Sequence, residues 1–266
     1  MISDCFARFS GSAGSFRRIL VLSLLSGLAP ACGTKIIPPI VTDSAPALSA
    51  TNIAHWPLIV LQWGEAMDPA TMNGTNIKIY DNATGLPFGP APSVMYLAGS
   101  FQSVVITNQS LLSPTGPPPS GQYIVSTTGA VKALDGRAAE AFVAEAFFTV
   151  KNDANASNSG PLFSGPVAAP GAATTIDITF NLATDNAVTM SGFYDVYQST
   201  TLGGENLLLA PTAIVSSAAA AAGQPAGMGK ITMTSLTPAT TYYFIVVARD
   251  TDGNVLPTAE ISAIAP

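Results

Sequence analysis

Short runs in which apolar and polar residues alternate make up most of this chain. In residues 175–180, Ile176, Ile178 and Phe180 would face one side of a strand and the polar residues between them the other. Residues 242–248 alternate in the same way, with the even-numbered positions on the core side. A period of two is that of a strand with one buried face, and Gly, Pro, Asn and Asp separate the runs. The pattern predicts an all-β protein built from sandwiches.

Two stretches interrupt the strand pattern. Residues 152–160 are polar and turn-forming, with no large apolar side chain, and they indicate a linker. This linker leaves two segments, 40–151 and 161–266, each about the length of one β-sandwich domain. Residues 218–222 are all alanine and would fit a helical turn, but a glycine and a proline follow at once, so we expect a loop there.

The clearest family signal lies in the C-terminal segment. Leu236, Pro238, Thr240 and Tyr242 have the spacing L-x-P-x-T-x-Y. This spacing resembles the fibronectin type III domain, in which that tyrosine makes the tyrosine corner of the sandwich. The resemblance implies a fibronectin type III domain over 161–266. Phe180 stands where that family usually keeps a core tryptophan.

A second resemblance covers the N-terminal segment. The apolar run 58–63 leads into Gly-Glu-Ala-Met-Asp-Pro-Ala-Thr, which is similar to the F-S-E-x-M-D-P-x-T segment of bacterial Ig-like domains of the surface-layer type. The resemblance implies a bacterial Ig-like β-sandwich over 40–151. Asp68 and Pro69 suit the cap and the first position of a helical turn.

The first residues have the pattern of a signal peptide. Residues 1–18 carry three arginines and one aspartate, residues 19–28 are almost wholly apolar, and Ala-Pro-Ala follows. The apolar run is about half the length of a membrane-spanning helix. We therefore expect residues 1–31 to be a cleaved signal peptide and the protein to be exported.

Cys32 follows the expected cleavage site directly. The stretch Leu-Ala-Pro-Ala-Cys ending at Cys32 resembles the box of bacterial lipoprotein precursors, in which this cysteine receives a lipid. The resemblance implies a lipidated Cys32, a tether over 32–39 and attachment to a membrane. Gly33 is not the aspartate that favours inner-membrane retention, so the expected site is the outer membrane. Ala-Pro-Ala also satisfies the rule for ordinary secretion, in which case cleavage would only expose Cys32.

Composition narrows the set of partners. Without residues 1–31 the chain has 235 residues and a formal net charge of −8, and its few basic residues are scattered. The sequence therefore predicts no nucleic-acid partner, because phosphate contacts need clustered lysines and arginines. Cys5 would leave with the signal peptide, so no internal disulfide is expected and the folds must rest on packed apolar cores.

Candidate chemistry is sparse. The single histidine, His55, precedes a strand and is interpreted as structural. Glu65 and Asp68 could form a hydrolytic carboxylate pair, but a cap and a surface residue explain them better. The stretch 250–254 spaces its acidic and amide side chains as calcium loops do, yet a plain turn explains it equally well. We predict no enzyme, no catalytic residue, no metal site and no cofactor.

One surface pattern bears on binding. The outer faces of two neighbouring strands would present a candidate partner patch made of Phe193, Tyr197, Tyr243, Ile245 and Val247. A patch of this kind can mark an interface. Strand propensity, or cover by the other domain or by the alanine-rich loop, is the alternative interpretation and the favoured one.

These observations favour a non-enzymatic, lipid-anchored cell-envelope protein. It would act as a structural spacer or as an adhesive module with a protein or glycan ligand that the sequence does not identify. The alternative is an accessory carbohydrate- or protein-binding module of a glycan-degrading or secretion complex.

Overall fold

Two β-sandwiches follow one another along the chain. The computed structural model describes residues 37–107, 111, 121–151, 160–185 and 188–266, and within them the protein is all-β except for two short helices. The strands of the first sandwich are β1 (Val41–Ala45), β2 (Ala50–Ile53), β3 (Ile59–Trp63), β4 (Ile77–Asp81), β5 (Ser93–Leu97), β6 (Gln102–Ile106), β7 (Gln122–Thr127) and β8 (Ala144–Val150). They form one sheet in the order β1-β3-β6-β5 and a second in the order β2-β8-β7-β4. The β2–β8 pair is parallel and the others are antiparallel.

The second sandwich uses the remaining strands. These are β9 (Val167–Pro170), β10 (Ile176–Asn181), β11 (Thr184–Asp185), β12 (Val188–Thr189), β13 (Gly192–Ser199), β14 (Ala213–Ser216), β15 (Met228–Met233), β16 (Thr241–Asp250), β17 (Val255–Pro257) and β18 (Ile261–Ile264). One sheet has the order β15-β10-β9 and the other β14-β13-β16-β17, with β18 also paired to β16. Strands β11 and β12 form a separate two-stranded ribbon.

Each sandwich encloses its own apolar core. The core of the first includes Trp63, Tyr123 and Phe148, and its members lie between residues 41 and 150. The core of the second is formed around Phe180 and Tyr194, whose rings lie 4.6 Å apart. Phe180 thus fills the space expected of a core tryptophan.

The alternation in the sequence predicted the core faces correctly. Ile176 and Ile178 are fully buried beside Phe180, and the even-numbered residues 242–248 of β16 all face the core. Tyr242 also makes the predicted corner, because its Oη accepts a hydrogen bond from the backbone N–H of Thr237 at 3.0 Å.

The two helices are each about one turn long. Asp68 caps the 3-10 helix Pro69–Thr71 by accepting a hydrogen bond from the N–H of Ala70, with Pro69 at the first position, so the predicted cap is confirmed. The alanine-rich stretch is a helix, α1 (Ser217–Ala221), and not the loop expected from the sequence. Ser216 caps it through the N–H of Ala219, and this cap stabilises the turn that the following glycine was expected to prevent.

Candidate functional site

The predicted partner patch lies on one face of the β13–β16 pair. Tyr197 is opposite Ile245 in the strand register, and Tyr243 and Val247 lie two positions from Ile245 on either side. Tyr197, Ile245 and Val247 are buried, whereas Tyr243 and Phe193 remain partly exposed. The sequence therefore placed the five side chains on the correct face, but three of them are covered in the structure.

The cover comes from the first sandwich. A third apolar cluster, called the joint below, contains buried side chains from both sandwiches: Val60, Leu97, Val104, Tyr197, Leu207, Ile245 and Val247. Val60 and Val104 project from the outer face of β3 and β6, while their chain neighbours fill the core of the first sandwich. Full burial of such a side chain contributes about 1.5–3 kcal/mol, so the joint is a third core shared by the two sandwiches.

Gln102 provides the polar centre of the joint. Its side chain is fully buried, its Nε2 donates to the Oδ1 of Asn206 at 2.7 Å, and its Oε1 accepts from the N–H of Leu207 at 2.9 Å. The same Nε2 also donates to the Oε1 of Gln62 at 2.9 Å. The amide is satisfied at both ends, so its burial carries no penalty for unpaired polar groups.

Backbones touch directly at one edge of the joint. The N–H of Ser100 donates to the carbonyl oxygen of Gly203 at 2.8 Å. A Cβ on Gly99 would lie 2.7 Å from the carbonyl oxygen of Leu202, and one on Gly203 would lie 2.7 Å from the nitrogen of Ala98. Only glycine permits this approach, because any side chain at either position would overlap backbone atoms.

The stretch 250–254 lies at the opposite edge of the joint. The carboxylate of Asp250 accepts from the N–H groups of Asp252 and Asn254, and its second oxygen accepts from the Nδ2 of Asn254. Asn254 in turn accepts from the N–H of Trp56 at 3.1 Å, and the N–H of Val255 donates to the carbonyl oxygen of Trp56 at 2.8 Å. Both oxygens of Asp250 are thus engaged within the turn, which supports the interpretation as a structural turn that also contacts the first sandwich.

Phe193 lies at the exposed end of the same sheet face. The guanidinium of Arg249 lies over its ring at 5.1 Å from the centroid, and the same guanidinium makes two hydrogen bonds to Asp195 at 2.7 and 2.9 Å. These hydrogen bonds to Asp195 raise the pKa of Arg249, so its charge is permanent. Phe193 and Tyr243 are the members of the predicted patch that a separate partner could still reach.

The other residues considered for chemistry have structural contacts. Glu65 forms an ion pair with Arg137, and Asp68 caps its helix, so the two carboxylates serve different contacts. His55 is buried, and its Nε2 donates to the carbonyl oxygen of Lys151 at 3.2 Å. Within the described parts of the chain, no group of three or more His, Cys, Asp or Glu side chains is placed to hold a metal ion.

A small pocket opens on the outer face of the second sheet of the first sandwich. It has a volume of about 200 Å³ and is called the β4–β7 pocket below; its lining residues are Tyr80, Asp81, Asn82, Gly85, Ile124, Ser126 and Phe142. The volume is below the roughly 300 Å³ at which pockets for drug-sized ligands begin, so the pocket fits one ring or one side chain. Sequence reasoning missed it, because its residues come from β4, the loop after β4, β7 and the loop before β8.

Phe142 is the unusual member of the pocket. Its backbone has φ 64°, in the left-handed region that disfavours bulky side chains, and a hydrogen bond from its N–H to the carbonyl oxygen of Thr127 holds it there. Its side chain is nevertheless 74% exposed. Beside it, the Oγ of the buried Ser126 has no hydrogen-bond partner among the described residues. A strained, exposed aromatic and an unsatisfied hydroxyl together mark this pocket as a candidate binding site.

Two sequence predictions lie outside the described residues. They are Cys32 with the signal peptide before it, and residues 152–159 of the linker, whose last residue, Gly160, is described. Gly160 is buried against the ring of Trp56, where a Cβ would lie 2.6 Å from ring carbons. The part of the chain that the structure describes contains no helix with the length and hydropathy needed to span a membrane.

Comparison with known proteins gives partial likenesses only. No protein-family model matches the chain, and no curated protein matches it. Domains 1–6 of the surface layer protein SbsC align with 86% of this chain and 26% of their own, with 13% identity and a TM-score of 0.36. The FN1–FN3 domains of chicken CNTN1 align with 86% of this chain and 68% of their own, with 14% identity and a TM-score of 0.33.

A third likeness covers less of the chain. An Fn3-like protein from Clostridium thermocellum aligns with 41% of this chain and 96% of its own, with 24% identity and a TM-score of 0.28. This chain spans about a quarter of the length of the surface layer structure with which it aligns. The assignment to the all-β sandwich class therefore rests on the strands, sheets and cores described above.

Proposed function

We propose that this protein is a non-enzymatic, lipid-anchored component of the cell envelope, in which two β-sandwiches act as one stiff spacer. The shared core of the joint carries this proposal. Sandwiches joined only by a flexible linker would move independently of each other. A buried apolar cluster with hydrogen bonds at both edges instead fixes their relative orientation. Such a unit can hold whatever lies at its far end at a set distance from its anchor.

The anchor is the N-terminal cysteine of the processed chain. Cleavage after residue 31 would leave Cys32 as the first residue, and a lipid on Cys32 would attach the spacer to the outer membrane. Mass spectrometry of the mature N-terminus in membrane fractions is the direct test. We expect the N-terminal peptide to carry the mass of attached acyl chains and a Cys32→Ser variant to be released from the membrane. An unmodified Cys32 in the wild-type protein would remove the anchor from the proposal.

Stiffness has a separate test. Spin labels on Ala83→Cys and Ala218→Cys, at two exposed positions on different sandwiches, report the distance between the sandwiches in a Cys32→Ser background. We expect a narrow distance distribution, and a broad one when Ile245→Asp places a charge in the joint. Ile214→Asp, on an exposed position of the same sheet, is the matched control and should keep the narrow distribution. A broad distribution in the protein without joint substitutions would contradict the spacer model.

Ligand binding at the β4–β7 pocket is the second candidate function. The strained backbone and exposed ring of Phe142 favour it, since neither feature stabilises the fold. Glycans and peptides fit the expected partner classes, and the pocket has room for one sugar ring or one side chain. Binding to arrays of cell-wall and host glycans should fall at least tenfold in Phe142→Ala, which corresponds to about 1.4 kcal/mol. Leu134→Ala, which removes an equally exposed apolar side chain elsewhere, should bind as the wild type does.

A further inference from the structure

One carboxylate is buried in the loop that contacts the first sandwich. Glu205 is 0% exposed, and no N–H group of another described residue donates a hydrogen bond to its carboxylate oxygens. It lies between two anchoring points of the loop. Gly203 accepts from the N–H of Ser100, and Leu207 donates to Gln102. Water can therefore reach Glu205 only when this loop separates from its surroundings.

The neighbour of Glu205 is another carboxylate. Glu260 interacts with Glu205, and its Oε2 already accepts a hydrogen bond from the N–H of Gly203 at 2.6 Å. Residues 97–102, 200–209 and 257–262 contain no other Asp or Glu, and no Lys, Arg or His. Two phenols also lie in this region: that of Tyr243, which lies opposite Ser199 and Ser262 on β16, and that of Tyr197 in the joint. No positive charge on these segments compensates a buried anion.

Protonation of Glu205 removes the cost of burying an uncompensated negative charge. Burial, and to a smaller extent the negative charge of Glu260, together raise the pKa of Glu205 to about 7. An acid whose pKa is higher in the closed state than in the open state stabilises the closed state at low pH. That stabilisation is complete below the pKa of an exposed glutamate, about 4.3, and is lost as the pH rises towards 7.

We propose that Glu205 and Glu260 form a proton-dependent latch on the joint, which holds the two sandwiches together when Glu205 is protonated and loosens when both carboxylates are ionised. In the closed state Glu205 is neutral and its proton faces Glu260. Ionisation puts two negative charges side by side without water, and lifting the loop off hairpin 97–102 hydrates them. The two sandwiches are then held most rigidly at mildly acidic pH, and the joint between them opens more often above neutral pH.

Hydrogen exchange of the joint amides tests the latch directly. The N–H groups of Ser100 and Leu207 donate across the joint, so their protection reports its opening. The purified protein is compared at about pH 5.5 and about pH 8, after correction for the intrinsic exchange rates. We expect joint opening to increase on the order of tenfold at the higher pH. In Glu205→Gln, which cannot ionise, the opening should not change with pH.

Two further variants make the result specific. Burial raises the pKa of Glu145 on β8 to about 7 as well, so Glu145→Gln is the matched control and must leave the pH dependence of the joint amides intact. In Glu260→Gln, loss of the neighbouring negative charge should lower the pKa of Glu205 in the closed state, because a lone anion is easier to bury than one of a pair. The pH-dependent loss of the closed state should then be smaller and end at a lower pH, so we expect less joint opening at about pH 8 than in the wild type. This second variant also serves if Glu205→Gln does not fold.

Three outcomes would overturn the proposal. The first is joint protection that does not change with pH in the wild type, and the second is an unchanged pH dependence in Glu205→Gln. The third is restoration of joint protection at about pH 8 by millimolar calcium in the wild type but not in Glu205→Gln. That result would make the pair a cation site instead of a proton-dependent latch.

Discussion

The side chain of Asn254 accepts a hydrogen bond from the backbone N–H of Trp56 at 3.1 Å, across 198 positions of sequence. Asn254 is fully buried, and its Nδ2 donates to Asp250 within the turn. One amide thus closes the turn between β16 and β17 and also attaches it to the first sandwich. The stretch that looked most like a calcium loop is an attachment point between the two halves of the protein.

Asn254→Ala should destabilise the protein by about 1–3 kcal/mol, because it removes the part-buried hydrogen bond from the N–H of Trp56 and the hydrogen bond from Nδ2 to one oxygen of the buried Asp250. Urea denaturation monitored by tryptophan fluorescence measures the change. Thr251→Ala, at an exposed position of the same turn, is the control and should stay within about 0.5 kcal/mol of the wild type. Equal stability of the two variants would show that the attachment contributes nothing.

Calcium should leave the melting temperature unchanged. Both oxygens of Asp250 already accept hydrogen bonds from the turn itself, so a cation would have to displace them. Differential scanning fluorimetry with millimolar calcium, and with magnesium as the reference ion, checks this. A rise in melting temperature that disappears in Asp250→Asn would revive the calcium interpretation.

Ile245→Asp should separate the unfolding of the two sandwiches. In the wild type the joint couples them, so we expect a single calorimetric transition. A buried charge on β16 removes that coupling without entering either sandwich core, and two transitions should appear. Ile214→Asp should keep the single transition, since Ile214 is 57% exposed. Two transitions in the wild type would mean that the joint does not couple the sandwiches.

Gln102→Ala should cost about 1–3 kcal/mol, because the N–H of Leu207 and the side chains of Gln62 and Asn206 each lose a buried partner. Chemical denaturation gives the size of the loss. Gln224→Ala, in the loop after α1, is a control for the loss of a glutamine side chain and should be nearly neutral. A neutral Gln102→Ala would show that water replaces the network.

Phe142→Gly should be more stable than Phe142→Ala by about 1 kcal/mol, since only glycine relieves the left-handed backbone. Thermal denaturation of both variants measures the difference. We also expect Phe142→Gly to be at least as stable as the wild type, because the ring is exposed. A large loss of stability in both variants would instead mean that the ring packs against the fold.

Local patterns predicted much of the fold. The alternation through Ile176 and Ile178, the corner at Tyr242 and the cap at Asp68 each depend on residues close in sequence. Local rules failed at α1, where the capping hydroxyl of Ser216 outweighed the glycine that ends the alanine run. Each of these features could be judged from about ten residues of sequence.

The joint could not be predicted in the same way. Ile245 and Val247 were correctly placed on the outer face, but an apolar face has the same composition whether a second domain or a separate partner covers it. The polar part of the joint was harder still. Gln102, Asn206 and Glu205 look like ordinary surface residues in the sequence, and only long-range packing buries them.

The length of the connections across the joint has a consequence for how the protein folds. Gln102 bonds to a residue 105 positions later and Trp56 to one 198 positions later, so these contacts close late, after each sandwich has formed from more local pairings. During that interval Ile245 and Val247 on β16 form an exposed apolar surface. Two newly synthesised chains that meet in this interval can associate through these exposed residues. A high concentration of newly synthesised chains should therefore favour aggregation over completion of folding.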